Sequence, residues 1–141
     1  MEVKFLENNA DYTQVLDVLL QLRPSYSLDS LSIQIAKQQR DGYQVVYVKS
    51  SEGVLAVAGF WFGEKLAWGK NIYIDDLVTN PLFRSQGVGS FLIAWFKSHA
   101  LDNDCEQIHL DSGVQRFSAH KFYLREDFKI ASHHFSLLDL K

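Results

Sequence analysis

Two apolar runs, YQVVYVKS (43–50) and VLAVAGFWF (54–62), flank the short break Ser51-Glu52-Gly53. Strand-forming residues on both sides of a glycine-bearing turn predict a β-hairpin. A hairpin at the centre of the chain is incompatible with the strict strand–helix alternation of a doubly wound sheet.

The segments around it complete the pattern. VKFLE (3–7) alternates and reads as a short strand. NNADYTQVLDVLLQL opens on capping residues and then repeats apolar positions at Val15, Leu16, Val18, Leu19 and Leu22, a helix that runs to the break at Arg23-Pro24-Ser25. A weaker helix follows with Leu28, Leu31 and Ile35 and closes at Gly42. NIYIDDLVT (71–79) is a third strand after the hairpin begins. Residues 87–101 carry an apolar stripe at helical spacing: Val88, Phe91, Leu92, Trp95 and Phe96. QIHLDS (107–112) reads as a strand, RFSAHKFYLRE (116–126) as a short helix and FKIASHHFSLL (128–138) as a closing strand. The predicted order is β-α-α-β-β-β-α-β-α-β, a mixed α+β sheet with helices on both faces.

Length, charge and cysteine content narrow the class. At 141 residues, 47% of them apolar, the chain is expected to form one domain, 1–141, with a packed core. A net charge of −3 without any long basic run argues against sequence-independent nucleic-acid binding. Cys105 is the only cysteine, so no internal disulfide can form. The opening residues lack the apolar stretch of a signal peptide, and no run nears the roughly 20 apolar residues of a membrane helix. The expectation is a soluble, cytoplasmic chain with no membrane partner.

The most chemically suggestive stretch is Arg84-Ser85-Gln86-Gly87-Val88-Gly89-Ser90, which joins the strand at 71–79 to the helix at 87–101. A strand that ends in a glycine turn and starts a helix gathers unpaired amides at the positive end of the helix dipole, an anion site. Glycines let the backbone approach a ligand closely. The loop lacks the Gly-Lys-Ser/Thr of a nucleoside-triphosphate loop, and Leu92 stands where a dinucleotide fingerprint needs its third glycine. Read alone, the loop equally fits a plain turn that needs two glycines.

Three stretches together carry a resemblance. Arg84-x-x-Gly87-x-Gly89 is similar to the acetyl-CoA loop of the GNAT family of N-acetyltransferases. The segment RFSAHKFYLREDF resembles the family's Asn-x-x-Ala-x-x-Phe-Tyr-x-x-x-Gly-Phe motif, with Ala119, Phe122, Tyr123 and Phe128 in place. The strand YIDDLVT is similar to that of small-amine acetyltransferases. Two residues depart from the pattern: Arg116 stands where the family usually has Asn, and Asp127 replaces a Gly. The resemblance implies a twisted, mostly antiparallel sheet of six to seven strands. It implies that the pyrophosphate of acetyl-CoA sits on Ser85, Gln86, Gly87, Val88, Gly89 and Ser90, with Arg84 beside it. It also implies that the pantetheine arm pairs with the backbone of Leu77, Val78 and Thr79, with Arg116 and Phe122 near the cosubstrate. A homodimer rests on the resemblance alone.

Acetyl transfer needs a neutral amine, a donor for the oxyanion and a proton for the departing thiolate. An alkylammonium has a pKa near 10.4, so a group must attract it or relay its proton. The resemblance assigns the acid role to Tyr123, and register favours Asp75 at the amine; a backbone N–H near Val78 is the candidate oxyanion donor. Asp75 and Asp76 are adjacent in a strand, so their side chains are expected on opposite faces, with Asp76 structural. Phe60 and Phe62 should share one face and Trp61 the other. No His, Cys and carboxylate spacing resembles a metal site, and Cys105 reads as a small buried filler. Without a Ser-His-Asp or Cys-His arrangement, direct attack in a ternary complex is expected. The expected acceptor is a small-molecule primary amine. The alternatives are a protein lysine or N-terminal acetyltransferase, and a non-catalytic acyl-CoA-binding sensor.

Overall fold

The computed structural model describes residues 1–84 and 86–141, so Ser85 lies outside the described residues. These residues group into two compact units, Met1–Leu110 and Asp111–Lys141.

In the first unit the chain runs β1 (Glu2–Phe5), α1 (Tyr12–Leu22), α2 (Leu28–Arg40), β2 (Gln44–Ser50), β3 (Gly53–Lys65), β4 (Gly69–Thr79), a 3-10 turn (Pro81–Phe83), α3 (Val88–Asp102) and β5 (Gln107–Leu110). The strands lie in sequence order in one sheet. The first three pairings are antiparallel, and β4 pairs with β5 in parallel. The predicted hairpin is therefore β2–β3, and β3–β4 is a second.

Local sequence accounts for the helices. Ser27 and Ser30 form a capping box at the start of α2, each hydroxyl accepting from the other residue's backbone N–H at 3.1 and 2.9 Å. In α1 the buried positions Val15, Leu16, Val18 and Leu19 recur at helical spacing. They pack with Leu31 and Ile35 of α2 against Val45, Tyr47 and Val57 of the sheet. The other sheet face is covered by α3, whose Val88, Leu92, Phe96 and Ala100 meet Val46, Val48, Phe60, Ile72 and Ile74. Burying each such side chain contributes about 1.5–3 kcal/mol. Helices thus cover both faces, as expected, and Phe60 and Phe62 share the α3 side while Trp61 faces the other.

The second unit holds α4 (Phe117–Arg125). Two expectations fail in this region. Among the described residues the sheet has five strands rather than six to seven, and residues 128–138 form no strand. A strand exists only through ladder partners, and side-chain alternation alone supplies none. No helix among the described residues is long and apolar enough to cross a membrane.

One core position is chemically unusual. His99 of α3 stacks on Trp95 at 4.4 Å and touches the rings of Phe5, Phe60 and Phe62 at 5.6–5.9 Å. Its Nε2 is buried with no hydrogen-bond partner among the described residues. Burial lowers its pKa from the ordinary 6.5. The unfolded chain therefore binds a proton that the folded one refuses, so this residue's stabilising contribution is lost as pH falls from 6.5 through the lower folded value. Replacing His99 by Phe should flatten the fall in urea-unfolding free energy between about pH 7 and 5 relative to wild type.

Candidate active site

The sheet changes character midway along β4. Gly59 of β3 opposes Asp76, and the next residue, Phe60, opposes Ile74. Asp75 is therefore an extra residue, a β-bulge. The bulge resets the alternation. Ile72, Ile74 and Leu77 all pack on the α3 side, while Val78 packs on the α1 side.

Because of the bulge, the two carboxylates do not diverge as adjacent strand residues should. Asp75 Oδ2 accepts from Trp61 Nε1 at 2.7 Å, and Asp76 Oδ2 accepts from the Tyr43 hydroxyl at 2.6 Å. The Tyr43 and Trp61 rings are themselves in contact, 5.4 Å apart. Both carboxylates thus end on one aromatic pair, which corrects the expectation of opposite faces. The structural role expected for Asp76 is visible: its Oδ1 also accepts from Arg23 Nε at 2.9 Å. The same guanidinium donates through Nη2 to the Asp75 carbonyl at 3.1 Å. Arg23, at the C-cap of α1, thereby ties that helix to the bulge.

Tyr43 is almost fully buried, and burial, with the Asp76 carboxylate next, holds its hydroxyl far above the usual tyrosine range. It is a permanent donor. Its ring lies directly over Gly59: a Cβ there would stand 1.5 Å from the hydroxyl oxygen. Only glycine leaves room for the hydroxyl to reach Asp76.

Beyond the bulge, β4 runs past the end of β5 at Leu110. The parallel register runs from Asn71↔Gln107 to Ile74↔Leu110 and stops. Leu77, Val78 and Thr79 continue to pair with β3 on one side only, opposite Ala58, Val57 and Ala56. Such a stretch of strand can accept an extended ligand through its backbone.

Asn80 then fixes where the loop begins. A second bulge sits at Leu55, where Val48 opposes Ala56 and Lys49 opposes Val54. Buried Asn80 donates from its backbone N to Leu55 O at 2.8 Å and from Nδ2 to Val54 O at 3.0 Å. Its Oδ1 accepts from Leu82 N at 3.1 Å, starting the 3-10 turn. Arg84 and Gln86 are exposed. Gly87 is the N-cap of α3 at φ 74°, ψ 14°, a left-handed conformation suited to glycine, with open space where a Cβ would be. A glycine N-cap offers no side chain to the first turn, which holds Val88, Gly89 and Ser90. The expected contact at Ser85 lies outside the described residues.

The second unit carries the remaining predicted residues. Arg116 is the exposed N-cap of α4. Phe122 and Tyr123 are half-buried, their rings 5.4 Å apart, and Tyr123 also meets Phe128 at 5.7 Å. Burial raises the Tyr123 pKa, with Arg116 opposing it. Asp127, standing where the resembled motif has Gly, adopts φ 71°. Phe128 N donates to Tyr123 O at 3.0 Å, closing α4 with a Schellman arrangement whose apolar contact is the Tyr123–Phe128 pair. The helix ending survives the substitution because Asp tolerates the left-handed region better than most residues.

Among the described residues no group of three or more His, Cys, Asp or Glu could hold a metal ion. His120 Nε2 lies 2.7 Å from Gly113 O, so it donates and this nitrogen carries the proton. Cys105 is buried in the α3-side core, as its reading as a filler requires, and burial raises its pKa. Sequence reasoning missed Arg23, Tyr43 and Asn80 and the bulge at Asp75. Gly59, a lone glycine inside a strand pattern, was the available signal of a bulge or a close approach.

Comparison with known proteins places the chain among acetyltransferases by family and fold. The model of the Acetyltransferase (GNAT) family matches residues 12–128. The chain is 38% identical over 69 residues to the aminoalkylphosphonate N-acetyltransferase of Salmonella typhimurium, covering 49% of this chain and 39% of that protein. It is 25% identical to the uncharacterized N-acetyltransferase YhdJ of Bacillus subtilis over 87% of each chain. Its fold matches an acetyltransferase structure from Trypanosoma brucei with a TM-score of 0.75 and 25% identity over 99% of both chains.

Replacing Gly59 by Ala should displace the Tyr43 hydroxyl from Asp76. We expect a loss of about 1–3 kcal/mol in urea-unfolding free energy, the usual range for overpacking.

Proposed function

The chain belongs to the acetyltransferase (GNAT) family, and on that premise we propose that it transfers an acetyl group from acetyl-CoA to a small-molecule primary amine. The observation that carries this reading is the course of β4. It bulges at Asp75, runs beyond β5 with Leu77, Val78 and Thr79 paired on one side, and leads to a helix capped by Gly87. This arrangement suits a molecule with two amides in an extended arm and a pyrophosphate at its end. The left-handed Gly87, with open space beside it, leaves the first turn of α3 accessible to that pyrophosphate. In this reading Gln86, Gly87, Val88, Gly89, Ser90 and Ser85 surround it, and Arg84 adds a charge-assisted contact.

The proposed reaction is direct attack in a ternary complex. Asp75, held by Trp61 Nε1, attracts the ammonium and passes its proton to water. The neutral nitrogen forms a bond to the thioester carbonyl carbon, and the oxygen that takes the electron pair is stabilised by the Val78 N–H. The C–S bond then breaks. The departing CoA thiolate takes a proton from Tyr123, whose raised pKa keeps the hydroxyl protonated at neutral pH; the nitrogen, cationic after attack, sheds its extra proton to solvent to leave the amide, and solvent reprotonates the Tyr123 phenolate. Arg116 and Phe122, flanking Tyr123 in the motif, are assigned to the cosubstrate. No metal has a role, and no nucleic acid or membrane partner is part of the reading. The enzyme is proposed to be cytoplasmic, a single domain over residues 1–141, and a homodimer.

A small molecule is favoured over a protein acceptor by the name of one relative, an aminoalkylphosphonate N-acetyltransferase. The decisive assay is a panel of amines and peptides with detection of free CoA thiol. Acetyl-CoA binding without release on any acceptor would instead identify a sensor. With a good acceptor, Tyr123→Phe should lower kcat by about 10²–10⁴-fold. Asp75→Asn should raise KM for the amine about tenfold, or about 1.4 kcal/mol, with less effect on KM for acetyl-CoA. Unchanged turnover in Tyr123→Phe would refute the acid assignment.

A further inference from the structure

Three charged groups meet at the bulge of β4. Asp75 is the extra residue, and its Oδ2 accepts from Trp61 Nε1 at 2.7 Å. The neighbouring Asp76 accepts from Arg23 Nε at 2.9 Å through Oδ1 and from the Tyr43 hydroxyl at 2.6 Å through Oδ2. Arg23 also donates from Nη2 to the Asp75 carbonyl at 3.1 Å. All five residues belong to the first unit.

Their charges divide unequally. The Arg23 guanidinium is permanently cationic and stands against the Asp76 carboxylate. Tyr43 and Trp61 are neutral donors. One positive charge against two negative ones leaves a single negative charge, and it falls on Asp75. The guanidinium is also fixed to the backbone of Asp75 itself. A ligand whose ammonium meets the Asp75 carboxylate therefore places any second charge near Arg23. At a separation of roughly 7 Å, one unit charge changes binding about 3- to 50-fold, depending on how much water screens it.

We propose that Arg23 is a specificity-determining residue that restricts the acceptor to amines with one positive charge. Asp76, although adjacent to Asp75, offers no site for a second ammonium because Arg23 already answers its charge. The inference rests on the assignment of Asp75 to the amine. It narrows the acceptor class by excluding diamines and polyamines, which two adjacent acids would otherwise suit.

Propylamine and 1,3-diaminopropane test it, being alike in chain length and different in charge. In the full chain, binding is read in ¹⁵N spectra from the Trp61 indole N–H, assigned with Trp61→Phe, and turnover from release of CoA thiol. Wild type should bind the diamine no more tightly than the monoamine, after allowing for its two equivalent nitrogens, and should show no higher kcat/KM for it. Arg23→Gln leaves two negative charges and should raise the diamine-to-monoamine ratio about 3- to 50-fold. Asp76→Asn removes one negative charge and should lower the ratio. Combining the two substitutions restores the net charge and should return the ratio toward wild type. Added salt should shrink both single shifts. A change that merely loosened the bulge would weaken both amines together and leave the ratio in place. Should Arg23→Gln fail to fold, Asp76→Asn carries the test, since its amide oxygen can still accept from one of the two partners. A wild-type preference for the diamine, or a ratio that stays fixed or moves the same way in both single variants, would overturn the proposal. An indole resonance unmoved by either amine would overturn it together with the assignment of Asp75. Binding in the expected order without thiol release would support it while refuting acetyl transfer to these amines.

Discussion

The extra residue in β4 governs the rest of this molecule. Without Asp75 as a bulge, Val78 rather than Leu77 would continue the face of Ile72 and Ile74. With it, the strand bends at the point where its pairing to β5 stops. The same residue places a carboxylate at the bend. One irregularity therefore exchanges the faces of the strand and puts an acid where the ladder to β5 ends.

A bulge must be held, and here a chain of contacts holds it. Arg23 reaches it from the end of α1, Tyr43 from the start of β2, and Gly59 leaves the space that Tyr43 needs. Tyr43 is buried and the Asp76 carboxylate nearly so, and breaking their hydrogen bond would leave the remaining group unpaired in a poorly solvated place, while Arg23 adds its contacts from the exposed side. Asn80 serves the other end of the segment in the same way by satisfying the carbonyls at the bulge of β3. The loop thus starts from a fixed point.

The sequence was readable where one segment suffices to define its own structure. The apolar spacing of Val15, Leu16, Val18 and Leu19, the glycine break after Ser50 and the stripe from Val88 to Phe96 each led to the element observed. The glycine at the start of α3 was legible for the same reason, because a left-handed N-cap is a local feature. The bulge was not, since alternation assumes that no residue is added, and Gly59 signals an irregularity without saying on which strand it falls. Arg23 and Tyr43 were invisible because their partner lies 53 and 33 residues away. The strand expected at 128–138 misled because alternation describes side chains, while a strand requires a neighbour.

If the cosubstrate is held as proposed, its grip is made mostly from main-chain atoms of Leu77, Val78, Thr79 and the start of α3, and the amine is met by side chains such as Asp75 and Trp61. The two demands then fall on separate parts of the chemistry. Side chains along the far half of β4 answer to the cores that Leu77 and Val78 pack against rather than to the common donor. Changes around the aromatic pair can retune which amine is accepted. A strand that runs past the end of its neighbour is in this sense a device for inheritance: it keeps one binding partner constant while leaving the other open to selection.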